Sequence, residues 1–134
     1  MKYVYPAVFT EEDGKVLVSV PDLPHIHTFG DDMADAIYMA QDAMAMWLDD
    51  AEQGGRNIPK ASTIKAIGES LDDGPHDVSM VACDTDEYRR QISAKAVIKS
   101  VSIPEWLDFR AKRAEAPLSA ILQKGLKEYL HIED

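Results

Sequence analysis

Four aspartates in a short span, Asp22, Asp31, Asp32 and Asp35, are the first residues of this chain whose type and spacing could do chemistry. Converging carboxylates can hold the two divalent ions that clamp the attacking and leaving oxygens of phosphoryl transfer. These four, however, gather around a turn and a helix start, where aspartate side chains cap backbone amides, and none falls in the middle of a predicted strand. His25 and His27 would share one strand face and could approach a metal together with Asp31, but no further ligand of regular spacing follows, so the pair is expected on the surface. Cys83, the single cysteine, closes the apolar run VSMVAC and reads as a small buried thiol with no internal disulfide available to it. A Ser-His-Asp order, a P-loop and a CxxC motif are absent from the sequence. The expectation is a protein without catalytic residues, metal or cofactor, which works by binding.

Charge says what it could bind. The 134 residues carry a formal net charge of −10, unevenly spread: residues 1–92 hold 7 Lys and Arg against 18 Asp and Glu, and residues 93–134 hold 7 against 6. An acidic surface repels phosphate and attracts a basic protein, whereas a near-neutral tail can approach DNA if its cations share one face. Acidity that serves only solubility is the plainer reading of the same numbers. A hydrophobic content of 46% is enough for a core. No run of eighteen apolar residues exists, and the start MKYVYPAVF lacks the features of a secretory signal, so a cytoplasmic protein is expected.

The elements that must position these residues follow from pattern. KYVYPAVF (2–9) and KVLVSV (15–20) flank the turn EEDG and read as a β-hairpin, with Gly14 supplying the permissive backbone. Pro6 has no amide hydrogen, which places the first strand at a sheet edge or at a bulge. A third short strand is expected around His25 to Phe29, ended by Gly30. Asp31 or Asp32 can cap a long helix in which Ile37, Ala40, Met44, Trp47, Leu48 and Ala51 form the stripe that packs on the sheet, with Asp35, Asp42, Asp49 and Asp50 mainly on the other side. That helix ends by Gly54-Gly55. STIKAI (62–67) and VSMVAC (78–83) look like two more strands, the second nearly continuous in apolar residues and so expected to be central. DTDEYRRQI begins a short helix on Asp84 or Thr85, and the domain boundary is placed between residues 92 and 93.

The last segment changes register. In AKAVIKSVSI (94–103), Val97, Val101 and Ile103 share one parity and Ile98, Ser100 and Ser102 the other, a strand signature. Pro104 is placed as the first helical residue, with Trp106, Leu107, Arg110, Ala111 and Ala114 following at helical intervals. After a turn at Ala116-Pro117, Ser119 lies at or just inside the start of a second helix with the stripe Ile121, Leu122, Leu126, Tyr129 and Leu130. One strand and two short helices cannot bury enough surface alone, and a lone strand leaves its ladder unpaired, so a second copy must supply the missing strand. In the ribbon-helix-helix fold two such units pair antiparallel and the ribbon enters the major groove of DNA. Ile98, Ser100 and Ser102 are then the base-facing positions. Lys95 and Lys99 fall on the other parity, with the valines, and together with the backbone amides near Leu118 and Ser119 are expected to hold phosphates. Serine hydroxyls discriminate bases less well than a bidentate Arg, so direct reading is expected to be modest.

The segment KSVSIPEWLDFRAKRAEAPLSAILQKGLKEYL resembles the tail of HicB antitoxins. YPAVF, EEDGKVLVSVPDLP, TFGDDMADA and WLDDAEQGGRNIPKAS are similar to the amino-terminal domain of the same family. The resemblance spans nearly the whole chain, through motif order and spacing rather than any one motif. It implies an α+β protein with a partial RNase H-like domain at residues 1–92, an antiparallel sheet with a long packed helix, followed by a ribbon-helix-helix domain at 93–134. It implies a partner as well, an mRNA-cleaving HicA-type toxin that the antitoxin covers while repressing its own operon. Where HicB sequences often have Gly-Cys after the Asp-Leu-Pro turn, this chain has His25-Ile26, so contacts through that turn are altered. For the toxin contact the expectation falls on aromatics of the first strand, Tyr3, Tyr5 and Phe9, and on the turn Asp22, Leu23 and Pro24, since aromatic anchors dominate interfaces. A homodimer through the ribbon is expected, with tetramers through the first domain left open. The alternative is a ribbon-helix-helix regulator whose first domain senses a ligand or mediates assembly, with no toxin partner.

Overall fold

The computed structural model describes residues 1–94 and 96–132. The chain divides into two compact units, Met1–Lys95 and Ala96–Asp134. It is a mixed α/β protein, and among the described residues it holds a four-stranded antiparallel sheet and five helices.

In the first unit, β1 (Lys2–Glu12) and β2 (Lys15–Ser19) form the expected hairpin. Asp13 and Gly14 carry φ of 52° and 77°. Two successive positive φ values are what a two-residue turn needs to follow the twist of its strands. β3 (His27–Gly30) pairs with β2, and β4 (His76–Asp84) pairs with β1, giving the order β3-β2-β1-β4. Two expectations are corrected by that order. β1 is an interior strand despite Pro6, and β4 is an edge. β2 pairs with β1 only over Val8 to Glu12, so Pro6, which pairs with Met80 of β4, has no second neighbour to deprive of a hydrogen bond. β4 is apolar by composition, yet only Val81 of its nine residues is fully buried.

Helix α1 (Met33–Gly54) packs Ala36, Ala40, Met44 and Leu48 against Tyr5, Ala7, Phe9, Val16, Val18 and Val81. Strand alternation puts Tyr5, Ala7 and Phe9 on one face, and the alanines let the helix lie close. Asp32 caps the helix by accepting the Asp35 amide at 2.8 Å, while Asp35 accepts the Asp31 amide at 2.9 Å. Gly55, with φ 66°, ends it in the left-handed conformation. An Asp32→Ala variant is expected to lose about 1 kcal/mol of stability. A thermal melt followed by circular dichroism would register this as a fall of roughly 4–8 °C.

The predicted strand at 62–67 is instead the start of helix α2 (Ile64–Ser70). Thr63 caps it, its hydroxyl accepting the Ala66 amide at 3.0 Å, and Ile67 at the next turn is buried. The β-branched residues suggested a strand, but a capping threonine with isoleucines three apart is equally a one-face helix. Helix α3 (Thr85–Ile92) starts on Asp84, whose side chain accepts the Asp86 amide at 3.0 Å, and packs on α1.

In the second unit, α4 (Glu105–Arg113) follows Pro104, which stands at the cap with ψ 144° rather than as the first helical residue. Glu115, at φ 52°, turns the chain into α5 (Leu118–Leu130). Residues 96–104 form no strand in the single chain.

Candidate functional surfaces

The residues proposed from sequence as toxin anchors are mostly structural. Tyr5 and Phe9 are each 2% exposed and Leu23 is 3% exposed, all within the core. Tyr3 is half-buried and its hydroxyl donates to Glu52 at 2.9 Å; burial, then the Glu52 carboxylate, pushes its pKa up to about 12. Asp22 accepts the amide of Ser62 at 2.7 Å and its hydroxyl at 2.6 Å, fastening the segment after α1 to the turn after β2. Of the six, only Pro24 is exposed. A fully buried side chain has no surface to offer a partner, so in this fold Tyr5, Phe9 and Leu23 serve the core.

The aspartates serve local structure. Asp32 holds α1, Asp31 pairs with Lys15, and Asp35 closes the same turn. His25 and His27 are exposed, and among the described residues no group of three His, Cys, Asp or Glu gathers to hold a metal. The Cys83 thiol is pushed up to about 11, chiefly by burial and then by Asp84, which keeps it protonated at neutral pH and a poor nucleophile.

One expectation for α1 is reversed. Asp49 was placed on the outer side, but it is 5% exposed. Arg89 of α3 donates to it through Nε at 2.9 Å, and Gln53 donates to its other oxygen at 2.8 Å. Beside this pair Glu52 accepts from the buried Thr85 hydroxyl at 2.9 Å. A charge removed from water survives only when paired and hydrogen-bonded, and this set satisfies both conditions while locking α3 to α1. The sequence held one signal for it, the Arg89-Arg90 pair in the short helix expected at DTDEYRRQI.

Above this network a groove of about 780 Å³ runs along α1, between α3 and the segment around His25. Met39, Met46, Trp47 and Ile92 contribute its apolar part, and Asp42 and Asp50 stand at it. Of the methionines of α1, only Met44 belongs to the stripe expected to pack on the sheet. Met44 is buried, but Met46 is 55% exposed.

The second unit is different in kind. Neither α4 nor α5 has a buried residue, although Trp106, Phe109, Ile121, Leu126 and Tyr129 lie along them, with Tyr129 82% exposed. Ile98 is 97% exposed, and Lys99, Ser100 and Ser102 are exposed in the same segment before α4. Lys95 lies outside the described residues. Leu118 and Ser119 begin α5, which has no side-chain cap, so its first amides are available to an outside acceptor. No helix among the described residues is long and apolar enough to cross a membrane.

A four-stranded antiparallel sheet carrying one long helix, followed by a separate two-helix unit with an unburied apolar surface, defines a binding protein of two parts. The chain belongs to the HicB-like antitoxins of bacterial toxin-antitoxin systems, whose family model matches residues 5–125. Among solved structures it is similar to a toxin-antitoxin complex from Streptococcus pneumoniae, at 22% identity and a TM-score of 0.59, covering 96% of this chain and 99% of that one. It is similar also to the antitoxin HicB of Burkholderia pseudomallei, at 22% identity and a TM-score of 0.56, over 96% and 98% of the two chains. A HicA3 and HicB3 toxin-antitoxin complex matches at 18% identity and a TM-score of 0.52, over 61% of this chain and 99% of that one. At these identities the likeness is one of fold. No curated protein matches the chain.

Proposed function

We propose that this antitoxin binds and sterically neutralises a HicA-type mRNA-cleaving toxin through its first unit. Through its second, it dimerises as a ribbon-helix-helix module that binds and represses its own operator in the cytoplasm. The observation that carries the DNA-binding half is the second unit's bare apolar surface: two helices with no buried residue, preceded by a segment, 96–104, that forms no strand in the single chain. A second copy would supply the antiparallel strand and cover Val97, Val101 and Ile103, leaving Ile98, Ser100 and Ser102 toward the major groove. Lys95, Lys99 and the free amides at Leu118 and Ser119 would hold phosphates on either side. The toxin-binding half is supported by family membership, by neighbours described as toxin-antitoxin complexes, and by the 18 acidic residues against 7 basic ones in residues 1–92. Such a surface suits a partner whose own task is to bind RNA. A partial RNase H-like description of the sheet and α1 belongs to the same reading. Neutralisation here is by covering and needs no catalytic residue.

Co-expression with a HicA-type toxin tests the proposal. Growth is expected to recover and the two proteins to elute together from a sizing column. Growth arrest that persists, with no complex formed, would overturn it.

A further inference from the structure

Helix α1 carries a second stripe besides the one that packs on the sheet. Asp35, Met39, Asp42, Met46, Asp49 and Gln53 recur at alternating intervals of four and three, the seam spacing by which one helix receives another. The stripe is not a plain solvated face: Asp49 is buried, and Met46, 55% exposed, lines one groove with Ile92 of α3, itself 59% exposed. Methionine is flexible and polarisable, and it serves surfaces that must adapt to a partner.

The carboxylates say what kind of partner. Asp42, Asp49 and Asp50 all border the groove, and no Lys or Arg lines it. Asp49 is already satisfied by Arg89. Asp50 pairs with Arg56, which is half-exposed and lies over the Trp47 ring at 5.8 Å. An exposed pair of this kind contributes little and yields readily to a cation that arrives with its own apolar contacts. Asp42 is exposed, with no cation bound to it among the described residues.

We propose that this groove receives a helix of the toxin that presents Lys or Arg between apolar side chains, the cations reaching Asp42 and Asp50 while the apolar residues cover Met39 and Met46. The inference rests on the toxin-binding reading above and names the surface that performs it. A second copy of this chain is a poor occupant, because it would bring another strongly acidic unit to the same carboxylates, and nucleic acid is repelled by them.

The test uses the full chain and a HicA-type toxin made inactive by substitution. For the Asp42→Lys/Met46→Lys double variant, both positions being exposed, toxin affinity is expected to fall at least 100-fold, with melting temperature and operator binding unchanged. The control variant Asp73→Lys/Asp77→Lys, exposed and away from the groove, is expected to lose less than threefold. In the wild-type complex, Met39 and Met46 are expected to be protected from peroxide oxidation, read by mass spectrometry, while Met80 remains reactive. Wild-type binding with Met46 unprotected would overturn the groove alone, as would equal losses in the two double variants or a groove variant that binds within threefold. If the wild-type chain does not bind the toxin at all, the toxin reading falls and the groove goes with it.

Discussion

Gly30→Ala is expected to lower the melting temperature of the first unit by roughly 12–24 °C, which corresponds to about 3 kcal/mol in a domain of this size. A Cβ at position 30 would stand 2.2 Å from the Ala36 amide nitrogen and 2.7 Å from its Cα. Neither atom belongs to a side chain that can rotate away. The start of α1 would have to move off β3, and with it Ala36 and Ala40, the two alanines through which the helix approaches the sheet. The cap formed by Asp32 and Asp35 sits on the same turn, so relief of the clash also strains the cap. Gly14→Ala provides the contrast. Its φ is 77° but nothing lies within 4 Å of a Cβ there, so only the left-handed backbone is penalised, at about 1 kcal/mol. A Gly30→Ala protein that melts within about 2 °C of wild type would mean that helix and strand are not packed as closely as described.

That contact also explains how much of the fold could be read from residues alone. The hairpin, the long capped helix and the strand ending at Gly30 are local: each is set by neighbouring residues through turn chemistry, a cap or a period. What failed was set by partners distant in sequence. Pro6 was legible as a residue that cannot donate, but not that β2 would be too short to reach it. β4 is apolar enough for the centre of a sheet, yet no further strand exists among the described residues to flank it. Asp49 belonged to the acidic side of α1 by period, and only the arrival of Arg89 from forty residues away makes its burial tolerable.

The toxin anchors show the same limit from the other direction. Tyr5 and Phe9 read as anchors by residue type, but a helix with an apolar stripe needs a sheet face to cover, and the face with the alternating aromatics is the one it takes. The exposed groove was written in the sequence in a less conspicuous form, as the three-four spacing of Met39, Asp42 and Met46. A stripe on the far side of a helix is read as solvated unless its apolar members are counted separately.

The second large effect is expected in the terminal unit. Val97→Asp/Val101→Asp should convert the chain to a monomer, with operator affinity falling by roughly 100-fold or more, while toxin binding by the first unit is kept. Val97 is 83% exposed and Val101 67% exposed in the single chain, so the substitutions cost an isolated chain almost nothing. In a paired ribbon the same side chains lie on the covered face, four new carboxylates would be brought together away from water, and the dimer would bear the whole cost. Loss of the dimer removes the second half-site at once, since one strand and two helices cannot present a ribbon alone. Sedimentation measures the mass, and titration of labelled operator over a range of salt measures the affinity. The salt slope should flatten as phosphate contacts from Lys99 and its symmetry mate are lost together. Lys99→Ala separates the two causes, because it should reduce affinity and slope while leaving the dimer intact. A double variant that remains dimeric and still binds operator would place the pairing surface on the exposed faces of α4 and α5 instead of on the 96–104 segment, and the ribbon would have to be abandoned.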